Sequence, residues 1–327
     1  MNDHFIRDIE IRNYKLFQDF KTEGFGRVNL IGGKNNAGKT AFMEAILLNA
    51  YSVEGTLDDF IKVLISIKVF RNYALVYQMH EANANEFMKL VLSFLKEIVH
   101  TSIHSKIANL DIKLNKDLEI SFGGNKSYNG DDFDSIFINT EISLVNNFIS
   151  SVFIGDHQLE DLYDGVKLSR KREKINEFIN MFDRDLIEYD IIDNTPVCFS
   201  EKLNSFVSLD GYGNGVKRYI AYVCAIWANS NGHVFIDEIE NGIHYTNLDK
   251  LWEVILTTAK QANVQVFATT HSKECIESYA RVAKKLEDDE IAFVEMGINK
   301  YDKPRAIVMN SGRFYDELEI GNEVRGW

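Results

Sequence analysis

The sequence has little proline, little cysteine and no long apolar run. Only two prolines occur, whereas Ile, Asn, Lys and Phe are frequent. This amino-acid bias indicates a genome of biased composition more than it indicates a function. The three cysteines form no C-x-x-C pair and no metal-binding spacing. We therefore expect ordinary reduced thiols and no cysteine-based metal site.

No segment of the sequence predicts a membrane span or a secretion signal. The longest apolar candidate, Tyr219 to Ala228, is far shorter than the roughly 20 residues that cross a bilayer. Residues 1–7 contain no apolar signal core, so we expect a cytoplasmic protein with no membrane partner. The net charge of −13 excludes a surface that is basic overall. A local basic strip could still bind nucleic acid, because salt screens charges beyond about 10 Å.

The segment Gly33-Lys-Asn-Asn-Ala-Gly-Lys-Thr40 fits the phosphate-loop pattern G-x-x-x-x-G-K-[ST]. A predicted strand (27–31) precedes it and a predicted helix (41–48) follows, which is the context that this loop requires. Its glycines allow backbone N–H groups to surround phosphate oxygens at a helix start. Lys39 is expected to reach the β- and γ-phosphates, and the Thr40 hydroxyl to bind Mg²⁺. The alternative is a glycine turn before a helix with no ligand.

Two later strands end in polar residues. The apolar run from His233 ends in Asp237 and Glu238, of which the first is expected to hold Mg²⁺ and the second to deprotonate the attacking water. The run from Gln265 ends at His271, which is expected to contact a γ-phosphate. The alternatives are acids that cap a following helix and a histidine with an ordinary polar role at a strand end.

The segment from Ser208 to Tyr219 contains three alternating glycines before a long apolar helix, and so predicts a second anion site. One phosphate loop does not need a second such site in the same chain. Two chains packed head to tail do, because each can present this turn to the nucleotide of the other.

The other patterns are local. The sequence predicts strands at 5–12, 16–20, 111–114, 118–122, 151–154, 291–296 and 305–309, helical segments at 57–104 and 167–182, a turn at 123–130 and a terminal helix. There is no internal repeat and no long heptad array, which excludes a long coiled coil.

In this order the motifs resemble the ATP-binding-cassette class, and more closely the AAA-type ATPases related to the OLD (overcoming lysogenization defect), RecF and SMC proteins. The matching segments are Ile9 to Phe17 (opening strand and turn), Gly33 to Thr40 (Walker A in its Asn-Asn form), Ser208 to Arg218 (signature), Phe235 to His244 (Walker B and D-loop) and Ala268 to Ser272 (switch histidine).

The resemblance implies an α/β P-loop NTPase fold with an ABC-ATPase-like mixed sheet flanked by helices and an N-terminal antiparallel β subdomain. It implies one ATPase domain over 1–327, with a helical insertion at 57–104 and a helical subdomain at about 155–205. A homodimer or higher oligomer would hold ATP and Mg²⁺ between Walker A of one chain and the signature of the other. The implied site comprises catalytic Glu238, His271 and Lys39; nucleotide-binding Gly33, Asn35, Asn36, Gly38, Lys39, Thr40, Gly213, Asn214 and Gly215; and metal-binding Thr40, Asp237 and Gln158.

Two departures from the family pattern affect these expectations. Transporter-type signatures place a serine hydroxyl near the γ-phosphate, whereas Gly213-Asn-Gly215 occupies that turn here, so slow or partner-dependent hydrolysis is expected. In this family a Q-loop glutamine after a strand usually binds Mg²⁺, and Gln158, which follows the strand predicted at 151–154, is the candidate for it. About sixty residues follow His271, too few for an added Toprim nuclease domain, so any effector is expected to be another polypeptide.

We expect an ATPase switch subunit that controls a separate effector, such as a nuclease or other toxin-like subunit, and the resemblance suggests anti-phage defence. The alternative is a RecF-type ATPase of DNA repair or chromosome maintenance, supported by the basic run from Lys167 to Lys174. A non-hydrolysing ATP sensor is disfavoured by Glu238. A transporter subunit is disfavoured by the altered signature and the helical insertion.

Overall fold

A computed structural model describes residues 4–52, 56–71, 84–114, 118–122, 126–128, 145–151 and 154–321. The chain divides into two compact units. The first comprises Met1–Gly24, Asn36–Val145 and Met296–Ile307, and the second comprises Phe25–Asn35, Asn146–Glu295 and Val308–Trp327. The chain thus passes from the second unit to the first inside the phosphate loop.

The secondary structure alternates between strands and helices. The strands are β1 (Asp8–Tyr14), β2 (Phe17–Glu23), β3 (Val28–Gly33), β4 (Ser102–His104), β5 (Asn109–Leu114), β6 (Leu118–Phe122), β7 (Lys126–Tyr128), β8 (Phe148–Ile149), β9 (Leu186–Ile192), β10 (Thr195–Ser200), β11 (Ser205–Ser208), β12 (His233–Ile236), β13 (Gln265–Thr269), β14 (Ile291–Ile298) and β15 (Pro304–Asn310). The helices are α1 (Lys39–Tyr51), α2 (Leu57–Arg71), α3 (Ala84–Glu97), α4 (Asp156–Leu168), α5 (Arg172–Phe182), α6 (Asn214–Ala228), α7 (Leu248–Ala262), α8 (Lys273–Lys285) and α9 (Ser311–Glu319). Over the described ranges, no helix is long and apolar enough to cross a membrane.

The first unit contains an antiparallel sheet in the order β2-β1-β4-β5-β6-β7. Alternation along β1 buries Ile9 and Ile11, while the intervening polar residues face outward. Phe20 of β2 packs edge-to-face on Phe42 of α1, with ring centroids 5.4 Å apart. This is the antiparallel β subdomain that the resemblance implied.

A second six-stranded sheet has the order β15-β14-β3-β13-β12-β8. Strands β3, β13, β12 and β8 run parallel to one another. Every residue of β3 and of β13 is buried, as expected for parallel strands that are covered on both faces. A separate three-stranded antiparallel sheet, β11-β10-β9, precedes α6. The mixed α/β fold is therefore confirmed, and the strands predicted near residues 291 and 305 do finish this sheet.

Several predicted boundaries were wrong. The predicted turn at 123–130 contains β7, which pairs with β6, and the helical segment at 57–104 ends in β4, which pairs with β1. In both cases the short strand is fixed by its partner strand and carries little signal of its own. Residues 72–83 of that helical segment lie outside the described residues.

The predicted helical subdomain at about 155–205 is helical only in its first half. The helix predicted over 167–182 is interrupted, because α4 ends at Leu168 and Arg170 adopts φ 56°, a left-handed conformation that no helix interior allows. Leu186–Ile192 and Thr195–Ser200 then form β9 and β10, which pair with each other in antiparallel register.

Candidate functional site

The phosphate loop joins β3 to α1 through left-handed backbone conformations. Gly33 ends β3, Asn36 has φ 64°, and Gly38 has φ 91° and caps α1. Glycine is also required at Gly38 because a Cβ atom there would lie 2.8 Å from Leu16 Cδ1. The side chains of Asn35 and Asn36 are exposed, and Lys39 and Thr40 are partly exposed. The polar groups of the loop are therefore accessible to solvent.

The turn between β1 and β2 supports the same loop within the first unit. Besides the contact of Leu16, Lys15 forms an ion pair with the buried carboxylate of Glu44 in α1. The Tyr14 hydroxyl donates to the same carboxylate, with 3.3 Å between the oxygens. The opening motif of the family resemblance thus has a physical role, because it anchors the first helix after the phosphate loop.

Asp237 follows β12 and has both carboxylate oxygens held by hydroxyl donors. Thr269 Oγ1, at the end of β13, donates to Oδ1 at 2.7 Å, and Ser151 Oγ, beyond β8, donates to Oδ2 at 3.2 Å. The Asp237 N–H donates to Ile149 O at 2.9 Å. Since three adjacent parallel strands supply these contacts, the sheet itself fixes the direction of the carboxylate.

Glu238 has φ 48°, which is uncommon for a residue with a side chain. Its N–H donates to Thr269 Oγ1 at 2.8 Å, so one threonine hydroxyl holds two consecutive acidic residues. Left-handed conformations of this kind concentrate at functional sites. The Glu238 side chain is 40% exposed and can meet a water molecule or a ligand.

His271 follows β13 and lies against two carboxylates. Its Nδ1 is 3.8 Å from Glu238 Oε1 and 3.9 Å from Glu240 Oε1, and its backbone N–H donates to Glu240 Oε1 at 3.1 Å. The side chain is about half exposed. The structure therefore brings together three residues that the sequence predicted at one edge of the sheet, Asp237, Glu238 and His271.

The signature segment forms a 3₁₀ turn (Leu209–Tyr212), and Gly213, which has φ 80°, then caps the N-terminus of α6. Gly213 and Asn214 are exposed. A Cβ atom on Gly215 would lie 2.7 Å from Gly242 O, so the start of α6 and the D-loop touch through backbone alone. The predicted glycine turn is therefore a helix N-terminus with accessible amide groups.

Arg218, one turn into α6, connects this helix to the residues around Asp237. Its buried guanidinium donates to Ser150 O at 3.0 Å and to Ser151 O. Asn241 of the D-loop also donates to Ser151 O, at 2.7 Å. Local sequence patterns gave no individual role to Arg218, Ser151 or Thr269, since contacts between distant elements leave little local signal.

The assignment of Gln158 as the Q-loop glutamine stays a prediction. The strand predicted at 151–154 is displaced, because β8 is Phe148–Ile149 and pairs with β12; residues 152 and 153 lie outside the described residues. Gln158 lies in α4, and its Nε2 donates to Phe148 O at 3.1 Å. Ser151 is the residue after β8 that contacts Asp237, so metal binding by Gln158 remains a prediction without a supporting contact.

The basic run proposed for nucleic acid is largely paired with acids. Lys167 pairs with Asp164, Arg172 with Glu188 and Asp190, and Lys174 with Glu177. The Lys171 ammonium lies over the Trp227 ring, 5.1 Å from its centroid. These contacts neutralise much of the field that a phosphate backbone would meet.

The donors at the acidic strand edge suit magnesium more than a transition metal. Among the residues that the structure describes, no group of three or more His, Cys, Asp and Glu side chains could hold an ion. Magnesium is commonly bound by one or two carboxylates together with substrate phosphates and water. Asp237 supplies a hard oxygen ligand at this edge, so its chemistry fits Mg²⁺ accompanied by a nucleotide.

Comparison with known proteins identifies the family. Residues 100–277, more than half of the chain, match the family described as "AAA domain, putative AbiEii toxin, Type IV TA system". The chain belongs to this AAA-domain family. The match includes the signature, Walker B and switch-histidine segments.

One curated protein and two solved structures are similar to this chain over most of its length. A Helicobacter pylori protein named ATP/GTP phosphatase is 24% identical over 332 aligned residues, which cover 86% of this chain and 89% of that protein. A crystal structure of the SMC head bound to the C-winged helix domain of ScpA superposes with TM-score 0.56 and 11% identity over 94% of this chain and 98% of that chain. The Thermotoga maritima SMC head gives TM-score 0.51 and 13% identity, over 93% and 98%. The protein is an ABC/AAA-type P-loop ATPase.

Proposed function

We propose that the protein is a switch subunit that dimerises around ATP and Mg²⁺ and controls a separate effector. The observation that carries this proposal is the acidic strand edge. Asp237 is fixed by two hydroxyl donors, and Glu238 follows it in a constrained backbone beside His271. Such an arrangement positions charge before a ligand arrives, which is the main way in which proteins catalyse phosphoryl transfer.

The roles that we assign follow the chemistry of each group. Lys39 binds the β- and γ-phosphates, and the amides from Gly33 to Thr40 surround them. Asp237 and the Thr40 hydroxyl hold Mg²⁺, which neutralises phosphate charge when bound. Glu238 accepts a proton from the attacking water, and His271 donates to the γ-phosphate as its charge redistributes.

The signature acts in trans in this proposal. Gly213, Asn214 and Gly215 of one chain contact the nucleotide bound by the phosphate loop of the other. Support comes from the exposure of the first two residues and from their position at the N-terminus of a 15-residue helix. Because no serine hydroxyl is present in this turn, we expect slow turnover that a partner accelerates.

The family description names a putative toxin of a type IV toxin–antitoxin system, which is consistent with a setting in phage defence. We place the chain in the OLD-like group, with anti-phage defence as its setting and a nuclease or other toxin-like protein as its effector. DNA binding of the RecF type is the second candidate. The ion pairs of Lys167, Arg172 and Lys174 count against it.

The test is the solution mass of Glu238→Gln, measured by light scattering with and without ATP and Mg²⁺. This variant should bind ATP and retain it, so the 37.6 kDa chain should double in mass, or preformed units should assemble, only when nucleotide is present. Lys39→Ala, which lacks the phosphate-binding cation, is the matched control and should not assemble. A monomer that binds ATP without any change in mass would refute the trans signature.

A further inference from the structure

A third acid, Glu240, lies at the same strand edge and has no role so far. Its side chain is 13% exposed. Oε1 accepts the His271 backbone N–H at 3.1 Å and lies 3.9 Å from His271 Nδ1. Oε2 is buried, and within the described residues no donor reaches it.

This arrangement is costly for a purely structural residue. A buried carboxylate oxygen without a donor loses its hydration and gains nothing in return. The neighbouring Cys275 and Tyr222 are themselves buried. Burial, followed by the Glu240 charge, raises the pKa of the Cys275 thiol, so that neighbour stays neutral. A glutamine would keep an oxygen for the His271 amide at a lower desolvation cost, so the negative charge needs another explanation.

The imidazole of His271 provides that explanation. Nδ1 is the ring nitrogen nearest to the two acids, Glu238 and Glu240. A carboxylate that accepts from Nδ1–H orients the ring and stabilises positive charge on it, as in carboxylate–histidine pairs of other enzymes. The present separation of 3.9 Å is longer than a hydrogen bond. Catalytic hydrogen bonds are often long before substrate binds and shorten in the complex.

We propose that Glu240 is a positioning residue that acts through His271. It holds the backbone of His271 through the amide, and its charge holds the Nδ1 side of the ring, so that Nε2–H is directed to the γ-phosphate. This inference rests on the proposed role of His271 in ATP hydrolysis. Glu240 itself contacts neither nucleotide nor metal in this scheme.

The experiment compares Glu240→Gln, His271→Ala and the double variant, with Glu274→Gln as a control. Glu274 is an exposed acid that follows the same strand, and its carboxylate accepts from Ser272 Oγ at 2.9 Å. ATP affinity, unfolding temperature and steady-state kcat and KM are measured for all four. Glu240→Gln preserves size and one acceptor oxygen, so it should fold.

We expect Glu240→Gln to bind ATP like the wild type and to unfold at the same or a higher temperature, with kcat lower by about 10-fold or more. The double variant should be no slower than His271→Ala alone, because Glu240 acts only through the imidazole that His271→Ala already removes. Glu274→Gln should retain wild-type kcat. A merely structural Glu240 would instead give a lower unfolding temperature in Glu240→Gln, without this pattern in kcat.

Two outcomes would overturn the inference alone, and a third would also refute the role of His271 in the proposed function. Wild-type kcat in Glu240→Gln, with His271→Ala slow, would remove Glu240 alone and leave the proposed function intact. Losses that multiply in the double variant would show that Glu240 does not act through His271. Wild-type kcat in His271→Ala would refute the role of His271 in the proposed function, and the inference would fall with it.

Discussion

The Thr269 hydroxyl offers a sharp test of how the acidic strand edge is held. Thr269 is 1% exposed, and its Oγ1 both donates to Asp237 Oδ1 at 2.7 Å and accepts from the Glu238 N–H at 2.8 Å. Thr269→Val replaces this hydroxyl by a methyl group of similar size that suits a strand. The substitution therefore removes two hydrogen bonds with little change in packing.

The expected cost follows from the two bonds. A hydrogen bond to a charged group contributes about 1.5–3 kcal/mol, and a buried N–H that loses its acceptor costs about 1–3 kcal/mol. Asp237 keeps its bond from Ser151, and water replaces part of what is lost at this partly exposed edge. We expect a destabilisation of about 2–4 kcal/mol, which lowers the unfolding temperature by about 4–10 °C.

Thr269→Val should also slow ATP hydrolysis, because Glu238 loses the contact that holds its left-handed backbone. Thr269→Ser is the matched control, since it retains the hydroxyl and should stay near the wild type in both measurements. Calorimetry and a phosphate-release assay on the two variants provide the comparison. Equal unfolding temperatures and equal turnover in the valine and serine variants would show that the hydroxyl does not hold this edge.

Two further expectations concern the signature and the thiols. Gly215→Ala places a methyl group 2.7 Å from Gly242 O and should destabilise by about 1–3 kcal/mol in urea unfolding. Gly211→Ala meets only Val207 Cγ1 at 3.7 Å and should be nearly neutral; equal costs would contradict the close backbone contact. Burial raises the pKa of Cys198 to about 12, and the thiol pKa values of Cys224 and Cys275 are raised in the same way. Thiol reagents at neutral pH should therefore label these cysteines only as fast as the protein opens, and rapid labelling of the native protein would refute their burial.

The sequence was most informative where a local pattern decides the structure. Strands β3, β12 and β13 are short apolar runs, and polar motif residues follow each of them. Such strands are recognisable because parallel strands are buried on both faces. The order of these motifs predicted the fold class and identified Asp237, Glu238 and His271 before any contact was known.

The sequence was least informative where the pairing of one strand with another decides the structure. Residues 151–154 have the composition of a strand, yet the strand that pairs with β12 is Phe148–Ile149. Ser151 follows β8 and contacts Asp237, and the predicted strand bounds did not indicate this contact. The choice between two apolar segments depends on which one meets the neighbouring strand, and no single-sequence pattern contains that information.

Contacts that converge on Ser151 show why the missing signature serine need not imply a degraded site. Ser151 donates to Asp237, and its carbonyl accepts from Arg218 of α6 and Asn241 of the D-loop. A movement of α6 that carries Arg218 therefore acts on the residue that holds the Walker B carboxylate. The backbone contact of Gly215 with Gly242 ties the D-loop to the same helix. The segment that we propose as the signature is thus connected to Asp237 through Arg218 and Ser151, although its turn has no serine hydroxyl.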